Sequence, residues 1–221
     1  LSGDIYPSSI TPDAALMYYT PGYDDGTYSY PEIYDRLRGK GGLQTSNTRE
    51  EKTARTGAWD YMNSFRGTFA SGAWLWKRAP GFFDVVAYSG DGVAGRTVSH
   101  NLGVAPDMIW AKQRSSSGNS WRVWYSGIPS GKSLRINGTD ALFNETSRIS
   151  DAGSTTFTLN DGTSGVNASG STYIAYLFAS LDGVSKVFSV TKSSGSDASV
   201  DCGFTSGPRL VMLKRTDSTG D

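Results

Sequence analysis

The chain has one cysteine, one histidine and few charges, and each shortage closes off a class of function. Cys202 alone cannot form an intrachain disulfide, so this is not a disulfide-stapled scaffold. It sits between Asp201 and Gly203 in a strand-like run, where a buried thiol is expected and no basic partner offers to activate it. His100 alone, with no Cys or His cluster, cannot build a metal centre. Beside Asn101 it reads as a surface turn residue. A Ser-His-Asp triad would need a serine in a sharp Gly-x-Ser-x-Gly elbow, which the chain lacks. Charged residues make up 19%, with 21 basic and 21 acidic side chains, so the net charge is zero. The densest basic stretch, Arg36, Arg38 and Lys40, is short and follows Asp35. It reads as a solvated face, and a nucleic-acid partner has no electrostatic footprint. No apolar run approaches the ~18 residues of a membrane-spanning helix, and no signal peptide is visible. With no initiator Met and an abrupt polar end, the sequence reads as part of a longer polypeptide.

What is present points to β-structure. There are 27 Gly, many Ser and Thr, and 12% aromatics. Aromatic and β-branched residues suit a pleated, half-buried surface, and Gly with Ser marks turns. Turn signals stand at 89–92, 115–118, 137–138, 161–162 and 169–170. Between them lie short apolar or alternating runs at 83–88, 96–99, 107–112, 121–125, 133–136, 155–159 and 172–178. Such spacing predicts an antiparallel β-sandwich. No window carries a clean helical period. One local exception, 31–39, has Pro early, Arg late and Gly last, which resembles a helix. The repeat described next instead assigns Glu32 to Asp35 to a strand.

The chain repeats itself. Leu102-Gly103-Val104-Ala105-Pro106-Asp107-Met108-Ile109-Trp110-Ala111-Lys112 matches Phe204-Thr205-Ser206-Gly207-Pro208-Arg209-Leu210-Val211-Met212-Leu213-Lys214, with the prolines 208 − 106 = 102 apart. Phe83-Asp84-Val85-Val86 matches Val187-Phe188-Ser189-Val190. Ser71 to Trp76 echoes Ser171 to Phe178, and Gly39-Lys40 before Leu43 echoes Gly131-Lys132 before Leu134. This predicts tandem jelly-roll-like β-sandwich repeats of about 100 residues, a size typical of sandwich domains. On this reading 1–80 is the C-terminal part of a repeat with an N-terminal extension, 81–186 is a complete repeat and 187–221 begins a further, truncated one. Arrays of this kind serve length and multivalency rather than catalysis.

The ordered motifs Phe82 to Gly92, Val98 to Ile109, Gly165 to Gly170 leading into Tyr173 to Ala179, Gly183 to Lys186 and Lys214 to Asp217 resemble a repeat domain of phage tail-fibre and structural virion proteins, frequent in marine phages. The resemblance covers Lys77 to Asp221 well, Tyr34 to Trp76 loosely and residues 1–33 poorly. It implies a structural virion protein located in the phage tail, partnered by other virion proteins and forming a homo-oligomer, by analogy a trimer. It implies no catalytic, cofactor-binding or metal-binding residues. A receptor- or glycan-binding module at the tail surface, with a host surface glycan as partner, is the alternative. A capsule-degrading enzyme or a head decoration protein follows further behind.

Individual constellations fit that picture. Ser126 to Ser133 approaches a phosphate-binding loop but is one residue short and is followed by a strand-like run, not a helix. Asp84, Asp91, Asp107 and Asp161 are scattered, whereas glycoside hydrolysis needs two carboxylates close together. Asp24-Asp25-Gly26-Thr27 lacks the alternation of a calcium loop and reads as a tight turn. The glycosylation-like triplets at Asn137, Asn144 and Asn167 read as turn residues. The rows Trp74 with Trp76, and Trp121 with Val123 and Tyr125, each share a strand face. Either is a core row or an exposed, sugar-stacking one.

Overall fold

The computed structural model describes residues 11–19, 30–39, 41–52, 70–145, 148–150, 152–162 and 165–219. Its regular elements are all strands. They are β1 (Ala14–Tyr19), β2 (Glu32–Asp35), β3 (Leu43–Gln44), β4 (Ala70–Trp76), β5 (Phe83–Ser89), β6 (Arg96–Ser99), β7 (Met108–Gln113), β8 (Arg122–Tyr125), β9 (Lys132–Ser133), β10 (Phe143–Asn144), β11 (Ile149–Ser150), β12 (Thr156–Leu159) and β13 (Thr172–Phe178). Residues 31–39 form no helix. Glu32–Asp35 is a strand, and the chain then turns so that Asp35 accepts the Arg38 amide, with Gly39 at φ 62° closing the turn.

β13 is apolar at nearly every position, a pattern that suits a strand covered on both faces. It lies between β5 and β7, with β8 beyond β7, in an antiparallel sheet ordered β5-β13-β7-β8. Tyr173, Ala175 and Leu177 enter one core, and Ile174 and Tyr176 enter another. The first core is closed by the sheet β11-β12-β6 through Ile149, Phe157, Leu159 and Val98. The second is closed by the N-terminal sheet β3-β2-β1-β4 through Ala14, Leu16, Ile33 and Leu43. The fold is therefore three β-layers with β13 at the centre. Burying each large apolar side chain here contributes about 1.5–3 kcal/mol.

One polar group crosses the second core. Arg38 is buried and donates to Asp35, to Glu51, to the Ile33 carbonyl and to the Tyr176 hydroxyl. The Tyr176 hydroxyl donates in turn to Asp35 Oδ2. Burial alone would pull Arg38 down, but Asp35, Tyr176 and Glu51 outweigh it and hold the guanidinium above its ordinary value. Arg114 doubly engages the other oxygen of Glu51.

The N-terminal sheet has the order and register of part of the central one. β4-β1-β2-β3 corresponds to β13-β7-β8-β9, since β8 meets the β9 hairpin through the Val123↔Leu134 bridge. Ala14 pairs with Trp76 and Asp35, as Met108 pairs with Phe178 and Tyr125. Three hydrogen bonds are duplicated. Asp13 N donates to Trp76 O as Asp107 N does to Phe178 O, and Arg36 N to Asp13 O as Ser126 N to Asp107 O. Arg78 N donates to Asp13 Oδ2 as Ser180 N donates to Asp107 Oδ2.

The segment after 186 differs from its sequence counterpart. Residues 83–112 are expected to act as a hairpin that 187–214 repeats, but β5 and β7 pair with β13, not with each other, and β6 pairs with β12. Residues 187–219 form no strand among those described, and Val190, Val211, Met212 and Leu213 are exposed. Each strand of 83–112 is held by partners that come later in the chain, and among the described residues no strand pairs with 187–219. The segment is tethered by Val187 N to Ser180 Oγ, Leu142 N to Thr216 O and Lys214 Nζ to Gly138 O.

Two sets of variants test this account by chemical denaturation. Asp13→Ala and Asp107→Ala should each lower stability by about 1 kcal/mol, the cost of leaving one half-buried amide without its acceptor. Arg38→Met should cost about 3–5 kcal/mol, because it leaves the Asp35 carboxylate in the core without its cation.

Candidate functional site

The carboxylates singled out in the sequence are each held by their own partners. Asp84 accepts from Arg78 Nε and from the amides of Val85 and Asn101, tying the β4–β5 linker to the turn after β6. Asp91 accepts from the Val93 amide and from Asn167, and pairs with Arg96. The Val93 bond comes first among the influences that hold Asp91 below the usual carboxylate range. Asp107 takes the Ser180 amide, and Asp161 pairs with Arg148. Among the described residues no group of three or more His, Cys, Asp or Glu could hold a metal ion. Asp24-Asp25-Gly26-Thr27 lies outside the described residues, as does Lys40.

His100 is not on the surface. It is 5% exposed, its Nδ1 accepts the Leu102 amide, its Nε2 lies 3.1 Å from the Gly153 carbonyl, and its ring stacks on Phe157. Those contacts assign the proton to Nε2 and tie the turn after β6 to the turn before β12. Cys202 is partly exposed rather than buried, because its segment has no sheet to enter. Trp121 is buried, donates its indole N–H to Gln44 O and stacks on Tyr176, while Trp74 and Trp76 pack against the same core. These aromatic rows join sheets rather than forming an exposed platform. Lys132 and Ser133 of the phosphate-loop-like run lie in β9, with no helix after them.

They also line a shallow cationic cleft of about 10 Å³, room for a single water at most, between Arg122, Trp124, Ile128, Lys132, Ser133 and Arg148. Arg122 is 9% exposed, and its Nη2 reaches Glu145 Oε1 at 3.1 Å. Arg148 joins the same oxygen at 2.5 Å. Arg122 Nε and Nη1 and Glu145 Oε2 are buried without a hydrogen-bond partner. Burial pushes Arg122 down to about 10, with Arg148 and Arg135 adding to the effect against Glu145. Burial would raise Glu145, but Arg148 and Arg122 outweigh it and keep the carboxyl low. The Arg135 and Arg122 guanidiniums lie 4.2 Å and 5.8 Å from the centre of the Phe143 ring. Arg148 also pairs with Asp161, Lys132 donates to Asn144 Oδ1, and the Ser133 hydroxyl lies against the Glu145 carboxylate.

A family model described as a domain of unknown function (DUF7483) matches residues 77–221. The chain belongs to that family. The DUF7483 stretch takes in the β5–β13 sandwich, the Arg122 cleft and the exposed segment after 186, and it leaves out the N-terminal sheet. No curated protein and no solved structure matches the chain. No helix among the described residues is long and apolar enough to cross a membrane.

Besides Arg38 and Arg122, Lys112 is a further buried cation. Lys112 on β7 is fully buried and donates to the Gln113 carbonyl, and burial pushes it down to about 8 against the pull of Glu50. The unfolded chain holds this proton up to about 10.5. Between those values the unfolded state binds more protons, so stability rises with pH, and the cost of the buried charge is complete below about 8. Lys112→Met should therefore stabilise the protein at pH 7 by about 1–2 kcal/mol. In thermal melts across pH 7–11 its advantage over the parent should shrink above about 8; a constant advantage would mean that Lys112 holds its proton as tightly in the fold as in the unfolded chain.

Proposed function

We propose that the chain is a structural virion protein of a bacteriophage, a tail or tail-fibre component built from tandem antiparallel β-sandwich units of the jelly-roll type. The observation that carries this reading is duplication. A Pro-Asp strand entry occurs twice, at Pro12-Asp13 and Pro106-Asp107, with the same register and the same three hydrogen bonds. A third Pro-led run lies at Pro208. Serial reuse of one module suits a filament or stalk, where length and repeated attachment matter. The aromatics support the same reading, since they are spent on joining sheets. The motif resemblance over 77–221 supplies the phage tail as location and other tail proteins as partners, with a homotrimer as the expected assembly. Mass spectrometry of purified particles should find the protein at a copy number divisible by three. Its absence from particles would overturn the reading.

A further inference from the structure

We infer that the two related sheets meet as an isologous pair: the face that the central sheet turns to the N-terminal sheet is a self-recognition surface of the module, and the partner it fits is a second copy of that module. The inference rests on the duplicated sheet and goes beyond the proposed function by naming the surface through which modules join.

The register of the two sheets fixes which residues correspond. Leu16 pairs with Ile33 and Trp74 as Trp110 pairs with Val123 and Tyr176. Leu43 lies across from Ile33 as Leu134 does from Val123. Each of these residues belongs to the second core or packs against it, between the two sheets. Side chains alternate along a strand, so matching residues on the inner side mean that both sheets present the same face. Superposing one sheet on the other therefore reverses the direction of that face. A rotation that reverses the normal of a layer is a half-turn about an axis lying in the layer, which is the symmetry of an isologous interface. Residues near such an axis meet their own counterparts. Trp76 pairs with Ala14 as Phe178 pairs with Met108, and the Trp76 and Phe178 rings lie edge to face with centres 6.2 Å apart.

The polar cluster across this interface sets which copy is preferred. Asp35 and Arg38 stand on the N-terminal side and meet the Tyr176 hydroxyl on the central side. In the central sheet Tyr125 takes the place of Asp35 and, by count, Ile128 that of Arg38. In the N-terminal sheet Trp74 takes the place of Tyr176. Two central sheets would bring two hydroxyls with neither carboxylate nor guanidinium at those places. Two N-terminal sheets would bring two ion pairs and no hydroxyl. The unlike pair alone completes the network, so it outcompetes either like pair.

The test cuts the folded whole chain. A specific protease site inserted after the exposed Pro80 lets the linker be cleaved, leaving 1–80 and 81–221 together without a covalent link. Native mass spectrometry should find the two pieces paired, with a minor species of two 81–221 copies. In Arg38→Met the like pair should grow by about tenfold or more relative to the unlike one, because the cluster that favours the unlike pair is broken. With Phe178→Cys and Cys202→Ser, a short bis-maleimide should join two 81–221 copies through residue 178, since that place meets itself across the axis. The inference is overturned if 81–221 never pairs with itself, if Arg38→Met leaves the ratio unchanged, or if residue 178 fails to cross-link the two-copy species. A cut chain that loses its fold overturns it as well, since the modules would then not be separable partners. None of those results bears on whether the protein is found in virus particles, which tests the virion reading separately.

Discussion

The structure depends on one strand having no solvent-facing side. β13 is covered by the N-terminal sheet on one face and by β11-β12-β6 on the other. Thr172 to Phe178 can therefore be apolar at almost every position without exposing a hydrophobic row. Remove either covering sheet and five consecutive buried side chains lose half their environment. The N-terminal strands are thus not an appendage to the sandwich. They form the lid on its second core, even though the family match begins after them.

That lid is also positioned by charge. An apolar interface alone sets little register, because a sheet can slide on another with modest change in buried area. The Arg38 cluster removes that freedom, since its guanidinium must meet Asp35 and Glu51 and the hydroxyl of Tyr176 on the opposing sheet. Burial pushes Tyr176 well above its ordinary value, so its hydroxyl keeps its proton and remains able to donate to Asp35. A misplaced lid would leave these groups desolvated and unpaired, which costs several kcal/mol.

Much of the local structure was legible because turns and alternation are local signals. The runs at 96–99 and 172–178 became β6 and β13 with the expected bounds, and the short antiparallel strands came with no helix. The two-residue strands β10 and β11 escaped notice, since two residues carry no period. Pairing was less legible. Adjacent runs look like hairpins, and nothing local says that β5 and β7 both seek β13. The duplicated Pro12-Asp13 entry was within reach, because Pro106-Asp107 has the same dipeptide before an apolar run. It was hidden by a shorter spacing, 106 − 12 = 94 rather than 102. The Arg122 cleft had no such signal. Its members come from β8, β9 and the stretch around β10 and β11, and only the fold brings them together.

The order of pairing also constrains how such a chain folds. In the sandwich β5, β6 and β7 come early, yet their partners β13, β12 and β8 come after them. The β5–β13 ladder closes a loop from Phe83 to Phe178, so the first strand waits for the last. Pairing at such separation pays its loop entropy before it gains contacts, and folding of this kind is slow. Until β13 is made, β5 therefore stands with its edges open, available to whichever compatible edge it meets first.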